Sequence, residues 1–384
     1  MSNLNISVVK FAYNLFIFFI KHNDDEKKEN VIFSPYSIHN LLSMVLNGTT
    51  GSTTQEIKKI LTNDESTDCK SLNNEHFNLL QNVNEFKQNS NINLQIDNFI
   101  FYNQDIELNK KFQDKTSKCY ETKIKSFDIS KKSKSLKLIN GLISKSTNDL
   151  IPEMILELPQ NTKLIIVNTI YFKGKWQTQF DNDETIKKDF NCIDETVKVD
   201  MMHKKDDLFH MENEFFVALK MPYEDPQFSL MIFLPKEGVS INEISKFISD
   251  ENFYSDLSKY MSLKEVDLNL PKFKISSKIN LKNALNYFGL KNIFFNGTSE
   301  LQHIMCDNTM NDVKIEQKAV IEINESGSEA AAATAMLMGR CAFIEKEFVK
   351  MNVNRPFCFS LIYNNNSDIP LPLFMGKVEN PLKE

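Results

Sequence analysis

The side chains that could carry out catalysis or bind a metal are scattered along the chain. No Cys-x-x-Cys pair, Gly-x-Ser-x-Gly elbow, His-Glu-x-x-His helix or Gly-rich phosphate loop is present. We therefore expect neither an enzyme nor a protein that holds a metal or an organic cofactor. The histidines are His22, His39, His76, His203, His210 and His303, in no recognisable pairing. The cysteines, which we interpret as reduced thiols, are Cys69, Cys119, Cys192, Cys306, Cys341 and Cys358.

The segment 324–343 is rich in alanine and has two possible structures. Alanine favours a helix, but a β-branched run at 320–323 leads into the segment and Gly327 precedes its alanines. In a strand, alternate side chains would point to opposite faces. Small side chains would then share one face: Ser328, Ala330, Ala332 and Thr334. Glu329 would lie on the other face, so the pattern predicts a strand that can slip into an existing sheet.

Composition indicates one soluble domain spanning residues 1–384. The chain is 41% hydrophobic and 25% charged, which is ordinary for a globular protein. Its 10 glycines and 11 prolines are dispersed, so no linker divides it. The net charge of −6, without a long Lys/Arg run, argues against nucleic-acid binding. The densest basic group is interpreted as a solvated helix start: Lys131, Lys132, Lys134 and Lys137.

The apolar stretch Phe11–Ile20 has some features of a signal peptide, but Lys10 interrupts it and no small-residue cleavage site follows. It is also shorter than a membrane span. We predict a packed amphipathic helix, because apolar residues recur at helical spacing: Val8, Phe11, Ala12, Leu15 and Phe19.

Hydrophobic periodicity predicts an α+β fold with large sheets, in which helices dominate the first third of the chain. Helices are predicted at 37–46, 53–61, about 73–86 and 281–290. Strands are predicted at 164–172, 228–234, 266–270, 357–363 and 371–378. The run 164–172 is almost continuously apolar, which is typical of a strand buried on both faces.

The segment Glu325–Thr334 resembles the hinge of inhibitory serpins, whose consensus is Glu-x-Gly-Thr/Ser-Glu-Ala-x-Ala-Ala/Thr-Thr. Five further segments resemble family motifs, so the similarity extends over essentially the whole chain. They are Asn30–Ile38, Val167–Trp176, Leu270–Phe273, Asn354–Phe357 and Phe374–Val378.

The resemblance implies a fold of three β-sheets, about nine helices and an exposed reactive-centre loop at about 325–348. It also implies a suicide substrate for a serine protease: the protease cleaves the loop, is held as an acyl-enzyme, and is trapped when the hinge inserts into the main sheet. The implied hinge comprises Glu325, Gly327, Ser328, Glu329, Ala330, Ala331, Ala332, Ala333 and Thr334. We expect a monomer whose partner is its target protease, with no membrane and no cofactor of the heparin type.

Insertion requires the main sheet to open, and in the family two serines, an asparagine and a histidine line the opening zone. Ser34, Ser37 and Asn168 match this set, but Gln317 stands at the histidine position. Glutamine can both donate and accept, so we expect a retained network with altered geometry. Trp176, the single tryptophan, ends the motif Val167–Trp176, just beyond the predicted strand 164–172. A second departure is Leu142, where the family usually has tryptophan.

Two adjacent bonds are candidates for cleavage. The usual register places the scissile residue fifteenth from Gly327, at Cys341, with Ala342 after it. A loop one residue shorter would give Arg340–Cys341, and Arg340 suits the acidic pocket of a trypsin-like protease. Cys341 would instead suit a chymotrypsin-like or cathepsin G-like protease. Glu345 and Glu347, with the negative net charge, predict faster association with cationic proteases.

A serpin fold without inhibitory activity, acting in binding or storage, is the alternative. Bulky or charged residues on the inserting face of the hinge would favour it, and the hinge has none there.

The free cysteines and the absence of a convincing signal peptide resemble ovalbumin-like serpins. We therefore expect a cytoplasmic protein, or one secreted without a conventional signal peptide.

Overall fold

Eight α-helices and fifteen β-strands make up the part of the chain that the structure describes. The computed structural model describes residues 3–22, 29–89, 91–248, 253, 259–294, 300–305, 313–328, 348–365, 367 and 369–383. The helices are α1 (Asn3–His22), α2 (Pro35–Leu46), α3 (Gly51–Thr62), α4 (Cys69–Asn89), α5 (Lys110–Tyr120), α6 (Lys132–Ser146), α7 (Ile241–Ile248) and α8 (Lys282–Tyr287).

The strands are β1 (Val31–Phe33), β2 (Asn93–Asn103), β3 (Lys123–Phe127), β4 (Leu164–Lys175), β5 (Ile186–Asn191), β6 (Thr196–Glu212), β7 (Phe216–Pro222), β8 (Phe228–Pro235), β9 (Ser262–Pro271), β10 (Phe273–Asn280), β11 (Val313–Ile323), β12 (Gly327–Ser328), β13 (Val349–Asn352), β14 (Phe357–Tyr363) and β15 (Leu371–Val378). Short 3-10 turns lie at Ile129–Lys131, Asn182–Glu184 and Asn292–Phe294.

The described strands form two sheets, and the α+β fold is confirmed. The larger sheet has the order β1-β15-β14-β8-β7-β6-β9-β13, with β5 also paired to β6. The smaller has the order β10-β11-β4-β2-β3, with β12 paired to the end of β4. The expected three sheets become two because β6, at 17 residues, pairs with β5 and β9 along one part and with β7 along the other. It thereby joins two strand groups that would otherwise count separately.

Most predicted elements are confirmed, with small shifts at their ends. The prediction at 281–290 is too long, since α8 ends at Tyr287. Gly289 follows with a φ of +99°, a left-handed conformation that stops a helix and favours glycine. The N-terminal end of α2 is set by Ser34, whose Oγ accepts a hydrogen bond from the Ser37 backbone N–H at 3.1 Å, and by Pro35 as first helical residue.

Strand β4 is buried on both faces, as its sequence predicts. On one face Ile166, Ile170 and Phe172 belong to the main core, which contains α1 and α2 and extends to the larger sheet. On the other face Ile165 and Val167 pack in a smaller core beneath α6. Leu142 of α6 packs, partly buried, against this smaller core, so the leucine fills a site of ordinary apolar packing.

Helix α1 is longer than its apolar run indicated, and the expectation that it is too short for a membrane span is wrong. By length and composition, Leu4–Lys21 could cross a membrane, but 61% of that stretch is buried inside the fold. Val8, Phe11 and Leu15 are at most 1% exposed and belong to the main core. This burial agrees with the predicted packed helix.

Candidate functional site

The centre of the smaller sheet is a parallel pairing between β4 and β11, which we call the seam. Residues Leu164–Tyr171 pair in register with Val313–Val320. Beyond Tyr171, β4 continues to Lys175 without β11 and pairs instead with β12. The two strands therefore separate at one end of the sheet, and the two-residue strand β12 lies at that end.

A buried cluster of four polar side chains closes the seam; we call Ser34, Ser37, Asn168 and Gln317 the gate. Asn168 and Gln317 are register partners across the seam, and Gln317 Nε2 donates to Asn168 Oδ1 at 3.0 Å. Ser37 Oγ donates to the same oxygen at 2.6 Å. All four residues are fully buried, so each of these bonds forms away from water.

Gln317 also clamps the start of α2. Its Oε1 accepts from the Ser34 backbone N–H at 2.9 Å, and its Nε2 donates to the Ser34 carbonyl at 3.2 Å. One amide thus satisfies three polar atoms, using both its donor and its acceptor ends. The glutamine keeps the four expected residues in one network.

Residues Asn324–Ser328, which we call the hinge root, turn the chain back from β11 towards β4. Gly327 has a φ of +140°, and a Cβ there would lie 2.7 Å from the Cα of Lys175 and closer still to the carbonyl of Gly174. Only glycine fits this position, since both the φ and the close approach exclude a side chain. Gly327 and Ser328 pair antiparallel with Lys175 and Gly174.

Trp176 fixes the hinge root to the end of β4. Its backbone N–H donates to the Ser326 carbonyl at 3.0 Å, and its Nε1–H donates to the Asn324 carbonyl at 2.9 Å. The indole stacks on Tyr223, with 4.4 Å between ring centroids. The Tyr223 hydroxyl in turn lies 3.1 Å from Ser328 Oγ. Ser328 is 1% exposed, so the first small residue of the inserting face already lies in the interior.

Glu325 is the one charged anchor of the hinge root. Its carboxylate pairs with Lys272 at 3.0 Å and accepts from Thr185 Oγ1 at 3.0 Å, while its carbonyl accepts from the Phe180 N–H at 2.9 Å. Burial alone would raise the pKa of this carboxyl. The backbone bond and the bonds from Lys272 and Thr185 outweigh burial, so the pKa lies below its ordinary value.

The expected site residues that the structure describes thus form two groups beside β4, one at the gate and one at the hinge root. Glu329, Ala330, Ala331, Ala332, Ala333 and Thr334 of the hinge lie outside the described residues, as do Arg340, Cys341 and Ala342 of the candidate bonds. Among the described residues, no cluster of His, Cys, Asp and Glu could hold a metal ion.

Sequence reasoning missed several partners of these two groups. Asn168 Nδ2 donates to Asn98 Oδ1 at 3.0 Å, and Asn98 Nδ2 donates to Asn40 Oδ1 at 2.6 Å. Tyr223 supports both Trp176 and Ser328. A polar residue inside an apolar strand or helix is the available signal for Asn98 and Asn40, since buried amides need partners.

Comparison with known proteins places this geometry in a family. The family model described as "Serpin (serine protease inhibitor)" matches residues 7–381. The leukocyte elastase inhibitor of Xenopus tropicalis is 32% identical over 391 residues, covering 99% of this chain and 100% of that protein. Human Serpin B3 is 30% identical over 400 residues, covering 99% and 100%. Human thyroxine-binding globulin, solved in complex with thyroxine, superposes with a TM-score of 0.86 at 26% identity, covering 100% of both chains.

The gate geometry predicts that Gln317→Leu destabilises the protein strongly. Leucine has a similar size but leaves the buried Ser34 N–H without its acceptor. It also removes one of two donors to the Ser34 carbonyl, which keeps the Ile38 N–H, and one of two donors to Asn168 Oδ1, which keeps Ser37. We expect a loss of about 2–4 kcal/mol in the free energy of unfolding, measured by urea denaturation. The matched control is Gln302→Leu, because Gln302 is exposed and should change stability by less than about 0.5 kcal/mol. Equal effects of the two substitutions would contradict a stabilising role for the gate.

Proposed function

The chain belongs to the serpin family, and we propose that it inhibits a serine protease as a suicide substrate. Members of this family are protease inhibitors rather than enzymes. In the proposed reaction the protease's serine hydroxyl attacks the carbonyl carbon of the scissile residue. The peptide C–N bond breaks, the new amino terminus leaves with a proton, and an ester joins loop and protease. The hinge then inserts into the seam before water can hydrolyse this ester.

The observation that carries the proposal is the register of β12 on β4. Gly327 pairs with Lys175 and Ser328 with Gly174. If the chain after Ser328 continues along β4 in the same antiparallel register, Ala332 lies opposite Ile170 and Thr334 lies opposite Asn168. Directly opposed residues of antiparallel strands point to the same face. The small residues would therefore face the main core beside Phe172 and Ile170, where large side chains would clash.

The same register predicts how the gate accepts the inserted strand. Opening the seam separates Gln317 from Asn168, which removes one of the donors to Asn168 Oδ1. Thr334, arriving opposite Asn168, would bring a hydroxyl that can donate to that oxygen. The inserted hinge thus offers a replacement donor to Asn168 Oδ1, in addition to the backbone groups that pair with the separated strands.

The energetics favour insertion once the loop is cut. Opening breaks a ladder of eight paired positions, whereas insertion forms one ladder on each side of the new strand. The net gain is roughly one ladder, on the order of 8 kcal/mol at about 1 kcal/mol per hydrogen bond. That is comparable with the whole stability of an ordinary domain, and is enough to distort a protease dragged along the sheet.

We also propose that the protein acts in the cytoplasm, or is released without a cleaved leader. Helix α1 supports this, because removing it would strip Val8, Phe11 and Leu15 from the main core. The similarity to Serpin B3 and the leukocyte elastase inhibitor is consistent with it.

The first test of inhibition compares two neighbouring hinge variants. Wild-type protein incubated with trypsin or chymotrypsin should give a covalent adduct that survives denaturing electrophoresis. Ala332→Glu places a charge on the inserting face, so we expect loop cleavage without an adduct. Ala333→Glu is the matched control, since its side chain stays on the opposite face and the adduct should persist. An adduct that forms equally with Ala332→Glu would contradict insertion. Cleavage of the wild type without any adduct would favour the non-inhibitory alternative.

The second test identifies the scissile bond and the protease class. The peptide released from each adduct is measured by mass spectrometry. With a trypsin-like protease we expect a peptide that begins at Cys341, and Arg340→Ala should abolish this adduct. With a chymotrypsin-like protease we expect a peptide that begins at Ala342, which Arg340→Ala should leave in place. A peptide that begins at any other residue would show that neither candidate is the scissile bond.

A further inference from the structure

A row of hydrogen-bonded side chains connects a buried pair of histidines to the gate. His39 of α2 and His76 of α4 are both 0% exposed, and His39 Nδ1 lies 3.2 Å from His76 Nε2. Asn40 Nδ2 lies 3.1 Å from His76 Nδ1. Asn40 leads through Asn98 to Asn168, the asparagine of the gate. None of the four gate residues takes up a proton in the ordinary pH range. The two imidazoles can do so, and hydrogen bonds join them to the gate.

The hydrogen bonds fix a single direction along this chain. An amide nitrogen can only donate, so Asn40 donates to His76 Nδ1, and the proton of His76 must sit on Nε2. That proton is shared between His39 Nδ1 and Ser43 Oγ, at 3.2 and 3.1 Å. The His39 proton then sits on its own Nε2.

The outer end of the chain lies between α3 and α1. His39 Nε2–H donates to the Leu61 carbonyl at 3.3 Å and approaches Ser7 Oγ at 3.4 Å. Ser7 uses its own proton on the Leu4 carbonyl at 2.9 Å. Every donor therefore points away from the gate and towards Leu61, and both imidazoles must be neutral.

Protonation of His76 would reverse this direction. A proton on Nδ1 would face the donor nitrogen of Asn40, so the Asn40 amide would have to turn its oxygen to the ring. Its nitrogen would then face the nitrogen of Asn98, which would have to turn in the same way, and Asn168 would follow. Asn168 would finally present an N–H to Gln317 Nε2, where two donors meet and no hydrogen bond is possible.

We propose that the His39–His76 pair is an acid-sensitive lock on the gate, and that proton uptake by this pair releases Gln317 from Asn168 and opens the seam. The unit that switches is the row of three amides, because each has two orientations and only one fits its neighbour. The outcome at the gate is the loss of the one side-chain bond that joins β4 to β11 within the gate.

The surroundings of the pair favour neutral rings. Burial lowers the pKa of His39 to about 3, with a small opposing effect of the Leu61 carbonyl. Burial, reinforced by the neighbouring His39, lowers the pKa of His76 well below its ordinary value. Tyr36 of α2 and Tyr120 of α5 face His76 with rings 5.7 and 5.6 Å away. Burial raises the pKa of both phenols, so both stay neutral.

The carboxylates of the neighbouring elements are engaged with other groups. Glu75 of α4 accepts from the Leu4 N–H at 2.8 Å, and Asp97 of β2 pairs with Lys123. Glu121, after α5, accepts from Asn84 at 2.7 Å. Ser7 and the Phe11 ring of α1 contact His39, the latter in an edge-on arrangement. The Leu61 carbonyl of α3 contacts the same ring. A charge on the pair would thus be formed in an apolar, buried setting.

The sign of the pH effect follows from these directions. The closed seam fixes the amide orientation that opposes a proton on His76 Nδ1, so His76 binds its proton more readily once the seam opens and the amides can turn. Above about pH 6.5, the ordinary histidine value, the closed state is fully favoured. Below that pH the equilibrium constant for opening rises. One proton taken up by His76 in the open state adds at most about tenfold to the opening constant per pH unit below that value.

Hydrogen exchange followed by mass spectrometry tests the proposal on the intact protein without any protease, so its result does not depend on inhibition. The measured quantity is the opening constant of Leu164–Lys175 and Val313–Ile323 at pH 7.5 and 5.5, corrected for intrinsic exchange. The wild type should open about three- to tenfold more at pH 5.5. His76→Gln, which can still donate and accept but takes up no proton, should reduce this change to within about twofold, because His76 is the ring that contacts Asn40. His303→Gln, at an exposed position, should keep the full change.

An acid response in His76→Gln equal to that of the wild type would overturn the proposal, as would a wild type with no acid response. Imidazole ¹⁵N spectra of the wild type give a second measurement that needs no variant. We expect His39 and His76 to remain neutral with protons on Nε2 at pH 5.5. A charged ring, or a proton on Nδ1 of His76, in the closed protein would equally overturn it.

Discussion

The structure depends on one oxygen, Asn168 Oδ1, which accepts from Ser37 on a helix and from Gln317 on the neighbouring strand. These two bonds hold α2, β4 and β11 together in a fully buried setting. Because buried polar groups are costly to leave without partners, the seam is closed as long as this oxygen keeps its donors. These side-chain bonds add to the eight-position backbone ladder that holds β4 and β11 together.

The hinge root brings the chain back to the end of β4, next to the seam. Trp176, Glu325 and Gly327 hold the chain in a turn that delivers Ser328 to the end of β4, in an antiparallel register. Each uses a different constraint: an indole packed on Tyr223, a carboxylate paired with Lys272, and a backbone conformation open to glycine. The inserted strand would extend two residues that are already in place, so the first paired positions are formed before any cleavage.

Much of this was predictable from the sequence, because local patterns carry it. The apolar run of β4, the Ser-Pro start of α2 and the glycine of the hinge each follow from residue type and short-range spacing. The partners across the fold were not predictable in the same way. Asn40, Asn98 and Asn168 are joined by hydrogen bonds between residues 58 and 70 positions apart, and no local pattern specifies such pairing. The joining of the strand groups was not predictable either, because the length of β6 decides whether two groups of strands count as one sheet.

The central claim is that β4 and β11 separate to admit the hinge, and a crystal structure of the loop-cleaved protein tests it most directly. The quantity to measure is the distance between the two strands at Asn168 and Gln317. We predict that it doubles, from the spacing of about 4.8 Å between neighbouring strands to about 10 Å, with Ala330–Thr334 as a new strand between them. A cleaved protein in which Asn168 and Gln317 are still paired would contradict the account.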